Sequence, residues 1–127
     1  MVINFNPKYI PGDIVYNHKK EIIRITSSYL KGTKLFYYID GNCGWIREDA
    51  IKPIPLTPEI LEKNGWKLSH GFYWSPNEEG AEVGLSSQTG YVWNAYMKSY
   101  PLRSGINSVS DLQHLLFGLG LDSNMIV

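Results

Sequence analysis

This chain of 127 residues predicts an α+β fold. Three observations point there. Short β-branched and aromatic runs separated by turn formers occupy residues 1–56, helix-start signals stand at Thr57 and Ser108, and strands alternate with polar turns between those two points. The expected architecture is a small SH3-like β-barrel lobe over 1–56, followed over 57–127 by a helix, about three antiparallel strands and a C-terminal helix. Neither half is long enough to bury much surface alone, so the two lobes are expected to share one core.

In the first half, Pro11-Gly12-Asp13 forms a turn before Ile14-Val15-Tyr16. A polar tip, Asn17 to Lys20, then separates that strand from Glu21 to Thr26, a hairpin pattern. Lys31-Gly32-Thr33 makes a second turn, and the next strand, Leu35 to Ile39, is closed by Asp40-Gly41-Asn42, residues that tolerate positive φ. Gly44 to Arg47 and Ala50 to Ile54 read as two more extended pieces, with Pro53 and Pro55 excluding a helix. A sheet of such short strands buries its apolar face best by curling on itself.

The second half opens on Thr57-Pro58-Glu59, where Thr caps, Pro fits the first helical position and Glu complements the dipole. Ile60 and Leu61 are the apolar contacts of this short helix, and Asn64-Gly65 stops it. Strand-like composition then runs from Trp66 to Trp74, from Ala81 to Leu85 and from Tyr91 to Met97, while Pro101 to Gly105 break the pattern. Ser108 and Asp111 have reciprocal-cap spacing, and Val109, Leu112, Leu116 and Leu119 form a helical stripe opposite Asp111 and His114. Gly118 and Gly120 end this helix.

Twelve basic and twelve acidic side chains leave a net charge of zero, which excludes the global footprint of a protein that coats nucleic acid. The charge is uneven, however: residues 1–56 carry eight basic and five acidic groups, net +3, and residues 57–127 are net −3. The lone Cys43 cannot close an intramolecular disulfide or build a structural zinc site, which suits a reducing compartment. With no long apolar run and no signal-like start, the chain is expected to be soluble, unexported and cytoplasmic, without membrane partners.

Catalytic signatures are weak. His18, His70 and His114 lie in three different elements without a second ligand at a useful spacing, so no metal is expected. Cys43 stands in a glycine-flanked turn from which a nucleophile can act, but its surroundings lack a supporting motif. Glu48-Asp49 and Glu78-Glu79 are adjacent pairs that point to opposite strand faces, and the scattered glycines build no phosphate loop. No enzyme and no cofactor are therefore expected.

Aromatic residues make up 13% of the chain and cluster in Phe36-Tyr37-Tyr38, Phe72-Tyr73-Trp74 and Tyr91-Val92-Trp93. Alternation along a strand forbids all of them from facing one core, so some rings must lie outside it. Trp45 and Arg47, two residues apart on one strand face, suit a flat heterocycle beside an anion. The residues chosen as ligand-binding are Arg24, Trp45, Arg47, Trp93 and Arg103, with rings stacking and guanidinium groups holding phosphate. The same aromatic surplus also suits a subunit or protein interface, and the basic first lobe suits single-stranded nucleic acid.

Two segments carry a resemblance. IKPIPLTPEILEKNGW at 51–66 and SVSDLQHLLFGLGLD at 108–122, with PGDIVY at 11–16, resemble small uncharacterised accessory proteins of Bacteroidetes phages, prophages and mobile elements. Their pattern is PIPLT-x-EIL-x-KNGF followed by a closing LQH helix; Trp66 stands here in place of the family's Phe. The resemblance spans about half of the chain and transfers no catalytic residue. It implies a bacterial host cytoplasm and a role against host defences. With the aromatic and arginine residues, it ranks first a non-enzymatic, homo-oligomeric binding protein that sequesters a small anionic ligand such as a nucleotide immune signal. A protein-binding inhibitor or adaptor for a host protein comes second, and nucleic-acid binding through the barrel lobe third.

Overall fold

A computed structural model describes residues 8–40, 44–77 and 81–127. The fold is mixed α and β, with two antiparallel sheets, one of them a curled half-barrel, and a C-terminal helix. The chain divides into two compact units, Met1–Ile54 and Pro55–Val127.

The first unit holds β1 (Ile14–Tyr16), β2 (Ile22–Lys31), β3 (Lys34–Ile39) and β4 (Trp45–Arg47), lying side by side in chain order. At the β1–β2 tip, the Asn17 side chain accepts the N–H groups of Lys19 and Glu21, both at 2.9 Å, which supports Lys20 in the left-handed region at φ 59°. β2 runs well past Thr26, where its apolar signal ends. Its polar continuation is held by pairing with β3, Ser27 opposite Tyr38 and Lys31 opposite Lys34. A bulge between Ile25 and Ser27 reverses the alternation along β2, so that Ile23 and Ile25 share the inner face with Ile39, Tyr37 and Ile46, whereas Ser27, Tyr29 and Lys31 face outward. Tyr9, Val15, Ile25, Tyr37 and Ile51 form the buried centre of this unit. After β4, a single 3₁₀ turn at Glu48–Ala50 redirects the chain, and Lys52 exchanges two backbone hydrogen bonds of 2.9 Å with Tyr16. The chain thereby returns to β1.

The second unit begins with α1 (Pro58–Lys63), whose Thr57 cap accepts the Ile60 N–H at 3.3 Å. Trp66 N–H reaches the Leu61 carbonyl and Gly65 N–H that of Glu62, the paired bonds of a Schellman stop, with Gly65 at φ 85°. β5 (Lys67–Ser69), β6 (Phe72–Trp74), β7 (Gly84–Ser86), β8 (Trp93–Met97) and β9 (Tyr100–Ile106) form a five-stranded sheet in chain order. Two differences from the sequence reading stand out. Residues 66–74 make a hairpin rather than one strand, because His70 and Gly71 both take positive φ, 53° and 82°, as a two-residue turn of primed type requires. Pro101 lies within a strand, since β9 is an edge strand whose outer side needs no N–H donor. α2 (Val109–Gly118) is capped by Ser108, whose hydroxyl accepts the Asp111 N–H at 3.2 Å. Val109, Leu112 and Leu116 are buried, as their spacing predicts, and so is Gln113, which donates to the Ser123 carbonyl at 3.0 Å. Among the described residues, no helix is long and apolar enough to cross a membrane.

Candidate functional site

Directly opposed residues of antiparallel strands share a face, so the registers of β2, β3 and β4 assemble the outer surface of the first sheet rank by rank. Ser27, Tyr38 and Trp45 form one rank, Tyr29, Phe36 and Arg47 the next, and Lys31 with Lys34 the last. The rings touch one another. Tyr29 stacks on Phe36 and on Tyr38, with centroids 5.3 and 5.2 Å apart, and Trp45 meets Phe36 edge-on at 4.5 Å. Phe36 is the anchor of this cluster at 7% exposure, whereas Tyr38 and Trp45 remain 44% and 53% exposed. The row is thus a preorganised platform whose outermost rings are accessible.

Cations border the platform. Lys31 and Lys34 are exposed at the hairpin end, and Arg47 lies beside the rings, its guanidinium 2.5 Å from the Asp49 carboxylate. Arg24, exposed on β2 opposite Ile14, stands beyond the Tyr38 rank, where its carbonyl accepts the Asp40 N–H at 2.9 Å. From Lys34 to Tyr38 the face extends roughly 13 Å along β3, at the rise of an antiparallel strand.

Behind the platform, on the inner face, the Tyr37 hydroxyl donates to the Glu48 carboxylate and accepts the Lys8 N–H at 3.0 Å. Burial, reinforced by the hydrogen bond that the phenol donates to Glu48, pushes this group well above the usual tyrosine range. The 3₁₀ turn and the segment entering β1 are therefore tied to the middle of β3, which keeps Phe36 and Tyr38 directed outward.

Of the five residues chosen from the sequence, Arg24, Trp45 and Arg47 lie on this outer face. Trp93 does not serve as a stacking ring: it is 3% exposed, and its indole N–H donates to the Leu56 carbonyl at 3.0 Å, which makes it part of the second unit's interior. Arg103 belongs to β9 and lines a cleft of about 340 Å³ on the second unit. Tyr29, Lys31 and Lys34 escaped the sequence reading. Their signal is the two-residue recurrence Tyr29/Lys31 and Lys34/Phe36/Tyr38 on either side of the Gly32 turn, hidden because Thr26-Ser27-Ser28 looks like the end of a strand.

The remaining candidates take local roles. His18 is exposed at a hairpin tip, and His70 occupies a turn with its Nδ1 2.9 Å from the Ser69 hydroxyl. Asp111 is directed toward Arg103 and the Asn107 N–H. Cys43 and the Glu78-Glu79 pair lie outside the described residues. Among the described residues, no three His, Cys, Asp or Glu side chains converge. Comparison with protein-family models, with curated proteins and with solved structures yields no match.

Proposed function

We propose that this protein is a non-enzymatic binding module in which the outer face of an SH3-like first lobe holds single-stranded nucleic acid. The barrel reading is supported by the order of its parts: four antiparallel strands, a 3₁₀ turn, and a short return to β1 through Lys52 and Tyr16. The functional reading is carried by one observation, the row of Tyr29, Phe36, Tyr38 and Trp45 with cations at both ends. Bases stack on exposed rings whatever their sequence, and Lys and Arg side chains follow the phosphates. An open face flanked by charge suits a strand better than an enclosed nucleotide, so the third-ranked alternative of the sequence reading moves ahead of small-ligand sequestration. In the phage or mobile-element setting suggested by the resemblance, such a module acts by occupancy.

Titration of single-stranded DNA and RNA oligonucleotides, followed by tryptophan quenching and anisotropy at low salt, tests this reading. Trp45→Ala should weaken binding by about 1–3 kcal/mol while leaving the fold intact, because the ring is half-exposed. Absence of binding to both oligonucleotides would remove the proposal. Equal affinity for a free mononucleotide would return the argument to small-ligand capture, and a stoichiometric host protein protecting Trp45 from quenching would identify a protein interface.

A further inference from the structure

Alternation and register divide the second sheet into a covered face and an open one. Leu85, Ala95 and Ile106 point to the covered face and are buried there, and Arg103, opposite Ala95, reaches Asp111 of α2 on that side. The open face consists of two ranks. Lys67, Trp74, Gly84, Tyr96 and Pro101 form one; Ser69 opposite Phe72 and Ser86 opposite Asn94 form the next. Gly84 apart, every residue of both ranks is at least partly exposed.

Trp74 lies flat on this face. A Cβ on Gly84 would meet Cζ3, Cη2 and Cε3 of the indole at 2.8, 3.0 and 3.2 Å, near-equal distances that a ring lying face-down on the strand gives and a ring standing on edge does not. The indole N–H donates to the Ser69 carbonyl at 3.3 Å, which sets the direction of the ring within its plane. Phe72 extends this floor at 5.6 Å with a tilt of 35°, and Tyr96 closes it, edge-on to Phe72 at 5.7 Å and 86°. Beside the rings, Ser86 and Asn94 are uncommitted: among the described residues, neither the hydroxyl nor the amide has a protein hydrogen-bond partner. Lys67 is the single ionic group in the two ranks, and residues 57–127 are net −3, so the unit does not attract phosphate. The face therefore suits a ligand with a flat apolar side, hydroxyl groups at its edge and no negative charge.

We infer that this face binds an uncharged saccharide, with a pyranose ring stacked on Trp74 and Phe72 and its hydroxyl groups bonded to Ser86 and Asn94. A pyranose with equatorial hydroxyls gathers polarised C–H groups on its flat sides, and the negative face of an aromatic ring attracts them. An amide and a hydroxyl supply both donors and acceptors to the sugar's edge. Apolar rings with a few placed polar groups are the usual makeup of a small-molecule site. A proline segment also stacks on rings but brings no hydroxyl groups for that pair.

The test is a ¹⁵N-resolved NMR titration of the full chain with cellohexaose, a neutral β-linked glucose chain, carried into the millimolar range expected of a shallow site. Saturable shifts are expected at residues 69, 72–74, 84–86 and 94–96. Trp74→Ala should weaken binding at least about tenfold, because it removes the stacking floor. Should that variant unfold, Asn94→Ala, which removes only the uncommitted amide, should weaken binding about fivefold in a folded protein. No saturable shift, affinity unchanged in every folded variant, or shifts of the same residues by hexaproline and not by cellohexaose would overturn the inference. Saccharide affinity should also stay constant as salt rises, unlike oligonucleotide binding read at Trp45, so the two readings fail independently.

Discussion

The phenol of Tyr37 joins three segments of backbone that are distant in sequence. It donates to Glu48, accepts from Lys8 and Tyr9, and packs edge-on against the Tyr9 ring at 5.6 Å. Tyr37→Phe keeps the ring and removes the hydroxyl, so it should cost about 1–3 kcal/mol in urea unfolding, the expense of leaving buried donors without their acceptor. The pH dependence follows from the same burial. The fold favours the neutral phenol and raises its pKa above the ordinary value of 10, so its contribution is complete below pH 10 and declines as pH rises beyond it. Wild-type stability should therefore fall between about pH 10 and 11 more steeply than that of Tyr37→Phe. A parallel decline in the two proteins would show that another group carries the effect.

Among elements, the β6–β7 pairing has the tightest steric requirement. Gly84 lies opposite Trp74, and a Cβ built on Gly84 would stand 2.8 Å from the indole ring. Gly84 is needed for the space it leaves, and Gly84→Ala should destabilise by about 1–3 kcal/mol, as overpacking does. Shortening the opposing side chain in a Trp74→Leu background should reduce that penalty in a double-mutant cycle. The helices depend on their caps in a different measure. Ser108 is buried while it caps α2, so Ser108→Ala should cost about 1–2 kcal/mol in thermal unfolding, toward the upper end for a cap. Asp111 completes this start by accepting from Asn107, one residue before the cap, rather than forming the reciprocal bond that its spacing with Ser108 suggests.

At the scale of the whole molecule, a net charge of zero leaves no long-range attraction for a polyanion, so any strand binding must rest on local contacts. Among the described residues, three cations on the platform, Arg24, Lys31 and Lys34, form no ion pair, whereas Arg47 is engaged by Asp49. With about three phosphates neutralised, the logarithm of the affinity for single strands should fall with the logarithm of salt at a slope near −2. Lys31→Ala combined with Lys34→Ala should bring that slope to about −0.7, measured by anisotropy across a salt series. A slope unchanged by the double substitution would place the contacts elsewhere on the molecule.

Local chemistry was legible in the residues. The Thr57-Pro58 and Ser108 helix starts, the glycine stops at Gly65 and Gly120, the buried stripe of α2 and the strand-rich first half follow from capping, positive φ and apolar spacing, all of which act within a few residues. Pairing was not legible in the same way. That β2 continues through Ser27 and Ser28, that Pro101 sits in an edge strand, and that residues 66–74 fold back at His70-Gly71 depend on neighbouring strands. The site divides along the same line. Period-two alternation put Trp45 and Arg47 on one face, but the registers of β2 and β3 brought Tyr29, Tyr38 and the lysines beside them. Trp93, equally aromatic in the sequence, was assigned to the interior by packing, because burial belongs to the three-dimensional neighbourhood of a ring and not to its neighbours along the chain.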